Sequence, residues 1–471
     1  MLDAALLDRL IKAYDVRGVV PDDLSPEIAR LVGAAFVRVV GAARAAGGPG
    51  TVVVARDMRP SGPELAEAFA EGVTSQGVDV IDIGLASTDQ LYYAAGSLDL
   101  PGAMFTASHN PAQYNGIKLC RVGASPVGQD TGLREIKDLV LAWSRSGVPA
   151  SDAPGGTVTE RDLLADYAAF LNGLVPLGAS RHLSVVVDAG NGMGGHTVPA
   201  VLAGLPLTVT PLYFELDGTF PNHEANPIEP DNMRDLQRAV LEHGADIGLA
   251  FDGDADRCFV VDERGEIVDP STLTALIAVR ELGKHPGATI IHNLITSAAV
   301  PEIVREHGGV PVRTRVGHSF IKARMAETGA VFGGEHSGHF YFRDFWRADS
   351  GMLAALHSLA ALGETPEGTT LSSLLAQYRR YVASGEINTV VADQAAVVAD
   401  LRAEYAGRPG VEIDELDGLT VSGTSDAGRW WFNVRPSNTE PLLRLNAEGA
   451  DAALMAAVRD EALGLIRKGV R

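Results

Sequence analysis

The stretch Thr106-Ala-Ser-His-Asn-Pro111 sets a hydroxyl, Ser108, beside an imidazole, His109, directly after the apolar run Ala103 to Phe105. A serine displayed at a strand end can carry a covalent group. Far along the chain, Asp252-Gly-Asp-Ala-Asp-Arg257 presents alternating carboxylates that suit a hard divalent cation. Without a cation those carboxylates repel one another, and Arg257 beside them makes sense if an anion docks on the metal. A nucleophile and a metal together point to phosphoryl transfer. Lys118, in Tyr114-Asn-Gly-Ile-Lys118, returns toward Ser108 across a hairpin, where it would neutralise phosphate charge or shuttle a proton.

Each motif has a plainer reading. Serine before Asn-Pro often caps a helix or makes a turn. A Ser-His-Asp hydrolase is disfavoured because no G-x-S-x-G elbow surrounds Ser108. Asp252, Asp254, Asp256 and Glu263 match four ligand positions of a calcium-binding EF-hand loop. Arg257, however, stands where that loop requires glycine, and the flanks read as strands. The segment Gly333-Gly-Glu-His-Ser-Gly-His339 lets backbone approach a ligand while Glu335, Ser337 and His339 reach hydroxyls, or it is an ordinary glycine-rich turn. Gly317 and His318 precede a helix expected at Phe320 to Glu327, where an anion is welcome. Arg435-Pro-Ser-Asn-Thr-Glu-Pro441 has the donors of a phosphate or carboxylate clamp, and Tyr14-Asp-Val-Arg-Gly18 adds another arginine in a turn.

The elements that must position these loops recur three times along the chain. Thr51 to Ala55, Leu183 to Val187 and Ala288 to Ile291 each open a unit as a β-branched strand. Helices are expected at Pro63 to Gln76, Thr197 to Ala203 and Ala298 to His307, then second strands at Val78 to Ile83, Leu207 to Tyr213 and Val310 to Thr314. Third strands at Ala103 to Phe105, Ile247 to Phe251 and Ala330 to Phe332 run into the three polar loops. The chain then returns at Gly116 to Arg121, Cys258 to Val261 and Phe340 to Phe342. Strands alternating with helices imply right-handed crossovers and mainly parallel, mixed sheets with ligands at strand carboxyl ends. The remainder reads as a smaller α+β unit: strands Glu386 to Val391, Leu419 to Ser422, Arg429 to Val434 and Leu442 to Ala447, with helices Asp393 to Glu404 and Ala450 to Lys468. The expectation is therefore an α/β protein of four domains, 1–150, 151–262, 263–376 and 377–471, with the clearest linker at Ser146 to Gly156 and the polar loops converging on one cleft.

Composition agrees. The 471 residues exceed one ordinary core, and 46% hydrophobic content fits packed globular units. No apolar run reaches the roughly 20 residues of a bilayer span, and the start lacks the order of a signal peptide, so a cytoplasmic protein is expected. Cys120 and Cys258 make no disulfide framework. A net charge of -21 argues against nucleic acid or an anionic membrane as partner. Oligomeric state is not readable from the sequence.

As a set and in this order, TASHNP at 106–111, YNGIK at 114–118, DGDADR at 252–257, GEHSGH at 334–339 and RPSNTEP at 435–441 resemble the α-D-phosphohexomutase superfamily, most of all bacterial phosphomannomutase/phosphoglucomutase. The resemblance implies three similar α/β domains and a smaller fourth around a deep cleft, and an isomerase that interconverts hexose 1-phosphate and 6-phosphate. Ser108 would be phosphorylated, with Mg2+ held by Asp252, Asp254, Asp256 and a phosphoserine oxygen. Hexose 1,6-bisphosphate would be the intermediate and activator. Glu335 and Ser337 would grip sugar hydroxyls, while Arg435, Ser437, Asn438 and Thr439 would hold the substrate phosphate. His109, Lys118 and Arg257 would surround the transferred group, and Tyr14, Arg17, Gly317, His318 and His339 would complete the cleft as substrate-binding residues. Lys118, His109 and His318 all stand as candidates for the general base. His336 occupies a position where many mannomutase/glucomutase relatives have Met and phosphoglucosamine mutases usually have Gln, while Asn438 stands where glucose-specific relatives often carry Gly. Mannose phosphate is the favoured substrate, with glucose phosphate also accepted and an amino-sugar phosphate the alternative. Two rivals remain on the residues alone: a phosphatase using Asp252 as nucleophile, of the haloacid-dehalogenase kind, and a phosphosugar- or metal-binding protein without turnover.

Overall fold

Strands joined by a crossover helix must lie parallel, and the repeated strand–helix–strand pattern does this in all three α/β sheets. The structure, a computed structural model, describes residues 2–12, 14–44, 47–437 and 442–468. It forms two compact units: Met1–Asp269 with Ser337–Leu374, and Pro270–His336 with Leu375–Arg471.

The first unit holds two sheets. In one, Thr51–Arg56 lies between Gly102–Phe105 and Asp79–Leu85, parallel to both, and Val158–Glu160 extends the parallel edge. Tyr114–Arg121 returns antiparallel beside Gly102–Phe105, with Val16–Val19 outside it. In the other, Leu183–Asp188 lies between Ile247–Phe251 and Leu207–Leu212, parallel to both, and Cys258–Asp262 returns antiparallel beside Ile247–Phe251. The second unit repeats the parallel core, with Thr289–Asn293 between Phe332–Gly334 and Val310–Thr314. The order third–first–second thus occurs three times, and each third strand runs directly into its polar loop.

The C-terminal part of the second unit is antiparallel, in the order Val382–Val390, Leu442–Gly449, Gly428–Pro436, Leu419–Ser425, Val411–Asp414. Helices Gln394–Tyr405 and Ala452–Lys468 share its core, where Leu401, Tyr405, Phe432 and Ile466 are buried. The three α/β sheets and this separate antiparallel domain make the expected fold class. No helix among the described residues is long and apolar enough to cross a membrane.

Three expectations shift. Arg17, read in a turn, lies in the strand Val16–Val19, because that segment pairs antiparallel with the returning strand, Arg17 opposite Gly116. The third strand of the third repeat runs Phe332–Gly334, later than Ala330 to Phe332, because glycine here is a packing requirement: a Cβ on Gly334 would collide with Thr274 of helix Pro270–Lys284. The edge strand Val411–Asp414 has no counterpart in the sequence reading, since its alternation is short and only half buried.

Behind the first sheet, helices Pro26–Val39 and Gly62–Thr74 touch backbone to backbone at Gly33 and Gly72, where any Cβ would collide with the carbonyls of Phe69 and Arg30. Phe69, fully buried, packs between Phe36 and Phe105 with ring centroids 5.8 and 5.5 Å away, so this core seats the strand that delivers Ser108. Phe69→Ala is expected to lower the stability of this domain by about 3–5 kcal/mol. Urea unfolding followed by circular dichroism measures it, and a loss below about 1 kcal/mol would contradict the packing argument.

Candidate active site

The strand Gly102–Phe105 is buried throughout and ends at Thr106, whose hydroxyl accepts a hydrogen bond from the Ser108 amide at 2.8 Å. That turn places Ser108 at φ +50°, left-handed backbone that a non-glycine residue adopts only under constraint. Its Oγ then donates to Asp252 Oδ2 at 2.8 Å, with His109 Nδ1 3.2 Å and an Arg257 guanidinium nitrogen 3.4 Å away. The close approach needs Gly253, because a Cβ there would collide with the Ser108 carbonyl oxygen.

Asp252, Asp254 and Asp256 are all buried, and each offers a carboxylate oxygen within 4.8 Å of the others. Lys118 pairs with Met104 across the hairpin and reaches Asp254 Oδ2 at 2.7 Å and Asp256 Oδ2 at 2.6 Å. The hydroxyl of Thr88 donates to the same Asp254 oxygen at 2.6 Å. The other oxygens, Asp254 Oδ1 and Asp256 Oδ1, are buried without a hydrogen-bond partner among the described residues. An orphaned pair of carboxylate oxygens beside Asp252 and the Ser108 hydroxyl is an all-oxygen donor set, which fits a hard divalent cation.

Burial pushes the Asp252 carboxyl up, with Arg257 opposing and the neighbouring Asp256 and Asp254 adding to it. Burial would do the same to Asp254, but the Lys118 ammonium and the Thr88 hydroxyl hold it well below the usual carboxylate range. Lys118 itself stays charged: desolvation is outweighed by Asp254 and Asp256. His109 is driven the other way, first by burial and then by the charges of Arg257 and Arg17, so its imidazole is neutral.

Other residues singled out in the sequence join this cluster. Arg17 donates to Asn110 Oδ1 at 2.6 Å on the serine loop, and Tyr14 lies half-buried just before it. Arg257 is fastened through Nε to Asp252 Oδ2 at 2.8 Å. His339 Nδ1 is 2.9 Å from Ser337 Oγ, and its Nε2 lies 3.6 Å from Asp256 Oδ1. Gly351, which opens helix Gly351–Gly363, touches the backbone of Ala255 and Arg257 where a side chain would not fit.

Within the second unit, the buried Glu335 accepts a hydrogen bond from the Gly317 amide at 3.0 Å, just ahead of helix His318–Thr328. Asp417 links the neighbouring Val316 amide, at 3.2 Å, to Arg435, at 3.6 Å. Asp417 thus connects Arg435 to the residue preceding Gly317. Ser437 is buried with its amide bonded to the Leu442 carbonyl. Asn438, Thr439 and the side chain of His318 lie outside the described residues. His336 is half-buried.

Sequence reasoning missed Arg59, Thr88, Asp89 and Asp417. Thr88 and Asp417 carry no motif, and their partners are distant in sequence. Asp89 is buried and takes hydrogen bonds from Ser87, Tyr167 and Ser350, and its carboxyl is pushed up to about 6, chiefly by burial.

Over residues 8–145, 165–265, 269–381 and 386–465 the chain matches, in order, the alpha/beta/alpha domains I, II and III and the C-terminal domain of phosphoglucomutase/phosphomannomutase. It is 40% identical over 465 residues to a phosphomannomutase of Escherichia coli, covering 97% of this chain and 98% of that protein. The chain belongs to the phosphoglucomutase/phosphomannomutase family. It is also 41% identical over 459 residues to phosphohexose mutases of Xanthomonas campestris, covering 97% of this chain and 98% of that protein. The solved structure of a phosphoglucomutase/phosphomannomutase family protein from Burkholderia thailandensis superposes with a TM-score of 0.87 at 33% identity, covering 100% of this chain and 99% of that one. The superfamily resemblance read from the motifs therefore holds, and the protein is a phosphohexomutase, an isomerase of carbohydrate metabolism.

The first unit of this phosphohexomutase holds a half-buried ion pair. His223 Nε2 lies 3.0 Å from Asp188 Oδ2 and Nδ1 lies 2.9 Å from the Glu224 carbonyl, so both ring nitrogens face acceptors and the imidazolium satisfies both. Burial lowers the His223 pKa, but the bond and charge of Asp188 prevail and raise it above 6.5. Its stabilisation is then full below the unfolded value and fades as pH rises through the elevated one. The stability difference between wild-type and His223→Gln is expected to shrink between about pH 5.5 and about pH 9 in urea titrations; a difference that grows with pH would contradict it. For the carboxylate trio, Asp254→Asn is expected to weaken Mn2+ binding by more than the roughly 10–100-fold typical of losing a supporting partner. Electron paramagnetic resonance of free Mn2+ measures this directly, and unchanged affinity would remove Asp254 from the metal site.

Proposed function

We propose that this phosphohexomutase interconverts hexose 1-phosphate and hexose 6-phosphate, preferring mannose phosphates and also accepting glucose phosphates, through phosphoserine at Ser108 and a hexose 1,6-bisphosphate. The observation that carries the reading is the meeting of Ser108 Oγ with Asp252 at 2.8 Å inside a shell of Arg257, His109 and Lys118. A hydroxyl so placed is presented for loading with a phosphoryl group, and the cations around it match the charge that spreads over the equatorial oxygens during transfer.

Asp252, Asp254 and Asp256 would hold Mg2+ together with an oxygen of phosphoserine, and the ion would supply charge neutralisation at the phosphoryl group. Arg257, locked to Asp252, keeps its guanidinium beside the Ser108 oxygen. The free hydroxyl of the bound monophosphate attacks the phosphoryl group on Ser108 and gives up its proton, while the departing Ser108 Oγ takes one up. After the bisphosphate turns round, Ser108 Oγ attacks the other phosphoryl group, the sugar oxygen leaves and is protonated, and Ser108 Oγ releases its own proton. We assign the uptake of that last proton to neutral His109, whose Nδ1 lies 3.2 Å from the serine oxygen. Lys118, already an ammonium between two aspartates, acts as a fixed positive charge. Glu335 and Ser337 are assigned to sugar hydroxyls, and Arg435, Ser437, Asn438 and Thr439 to the phosphate that does not react. Reuse of one clamp for both sugar orientations is what lets a single serine serve both half-reactions.

Ser108→Ala is expected to abolish turnover, a fall of at least about 1,000-fold in kcat, while sugar-phosphate binding by calorimetry stays within about threefold. Coupled assays of mannose 1-phosphate, glucose 1-phosphate and glucosamine 1-phosphate, side by side with added glucose 1,6-bisphosphate, decide the substrate. Unchanged turnover in Ser108→Ala would reject the nucleophile, and fastest turnover of glucosamine 1-phosphate would reject the mannose preference.

A further inference from the structure

Ser108 is held in left-handed backbone, φ +50°, a conformation whose cost the surroundings must offset. The group best placed to do so is Arg59, a fully buried side chain on the loop after strand Thr51–Arg56. One guanidinium nitrogen donates to the carbonyls of Ser108 at 2.9 Å and Asn110 at 2.7 Å, and the other to those of Pro111 at 2.9 Å and Tyr114 at 2.8 Å. Its Nε and its own amide both bond Asp57, which is itself tied by its amide to the Phe105 carbonyl at the strand end. The ring of Phe220, from the segment after strand Leu207–Leu212, lies 5.2 Å from the guanidinium, and Gly218 leaves room for Arg59 where a Cβ would not fit.

We propose that Arg59 is the positioning residue of the phosphoryl-transfer step: by gathering the carbonyls of residues 108 to 114 on one planar fork, it fixes the backbone that aims Ser108 Oγ at Asp252. The role rests on the reading of Ser108 as the phosphoryl carrier. Among the described residues Arg59 hydrogen-bonds the serine loop, Tyr114 and Asp57, and not the carboxylate trio. Its hydrogen bonds therefore act on the backbone that carries the acceptor oxygen. The fork geometry explains why arginine stands here. A lysine retains the charge but presents its donors from one point and cannot span four carbonyls in a plane.

The test uses full-length enzyme freed of phosphate, mixed with glucose 1,6-bisphosphate, with phosphate at Ser108 followed by intact-protein mass spectrometry and Mn2+ affinity by paramagnetic resonance. Arg59→Lys is expected to slow phosphorylation of Ser108 by about 100-fold or more, with half-saturation by bisphosphate and Mn2+ affinity each within about threefold of wild-type. Phe220→Leu, which keeps the guanidinium but removes the ring beside it, is expected to slow it by about three- to tenfold. A rate for Arg59→Lys within threefold of wild-type overturns the proposal, as does a slowed rate accompanied by an equal loss of Mn2+ affinity. If Arg59→Lys does not fold, an unchanged rate in Phe220→Leu overturns it. Wild-type enzyme that never gains phosphate at Ser108 refutes the phosphoserine reading instead, so the two failures are distinguishable.

Discussion

Three carboxylates buried within one short turn are the constraint on which the candidate site is built. Such a group is tolerable only where positive charge and hydrogen-bond donors are supplied from other elements, because isolated buried anions are far too costly to retain. The supply comes from three directions. Lys118 arrives on a returning strand, Arg257 from the end of the same loop, and Thr88 from the start of a helix in the neighbouring sheet's layer. What remains without a hydrogen-bond partner among the described residues, one oxygen each on Asp254 and Asp256, is a donor pair that a cation would suit.

The same constraint explains the glycines. A loop packed this tightly against another has no volume for side chains at its contact points, so Gly253 meets the Ser108 carbonyl and Gly351 meets the backbone of Ala255 and Arg257. Gly338, at φ +84°, meets the Phe259 ring and brings His339 toward Asp256. These positions carry no chemistry of their own. They let the polar groups on either side approach to hydrogen-bond distance.

Legibility in the sequence followed the locality of the interaction. Strands such as Leu183–Asp188 and Ile247–Phe251 were readable because each is a short, almost wholly buried apolar run. The strand Phe332–Gly334 was displaced in the reading because its glycines answer to a helix from another part of the chain. Ser108, Lys118 and the three aspartates announced themselves through residue type and spacing. Arg59 did not, since a guanidinium that binds backbone carbonyls has partners with no side-chain identity, and nothing in Asp57-Met-Arg-Pro60 records them. Asp417 was silent for a related reason: it joins Val316 to Arg435 across a separation that no local pattern spans.

The sequence by itself determined the class of chemistry, the threefold α/β repeat and the identity of the polar loops, because periodicity, turn residues and clustered donor types are local properties of a chain. Only the tertiary structure decided which oxygen of each aspartate is occupied, which histidine is neutral beside the serine, and which arginine supports the loop from beneath. Those are outcomes of burial and distance between segments far apart in sequence, and desolvation and Coulomb energies exist only once the segments have been brought together.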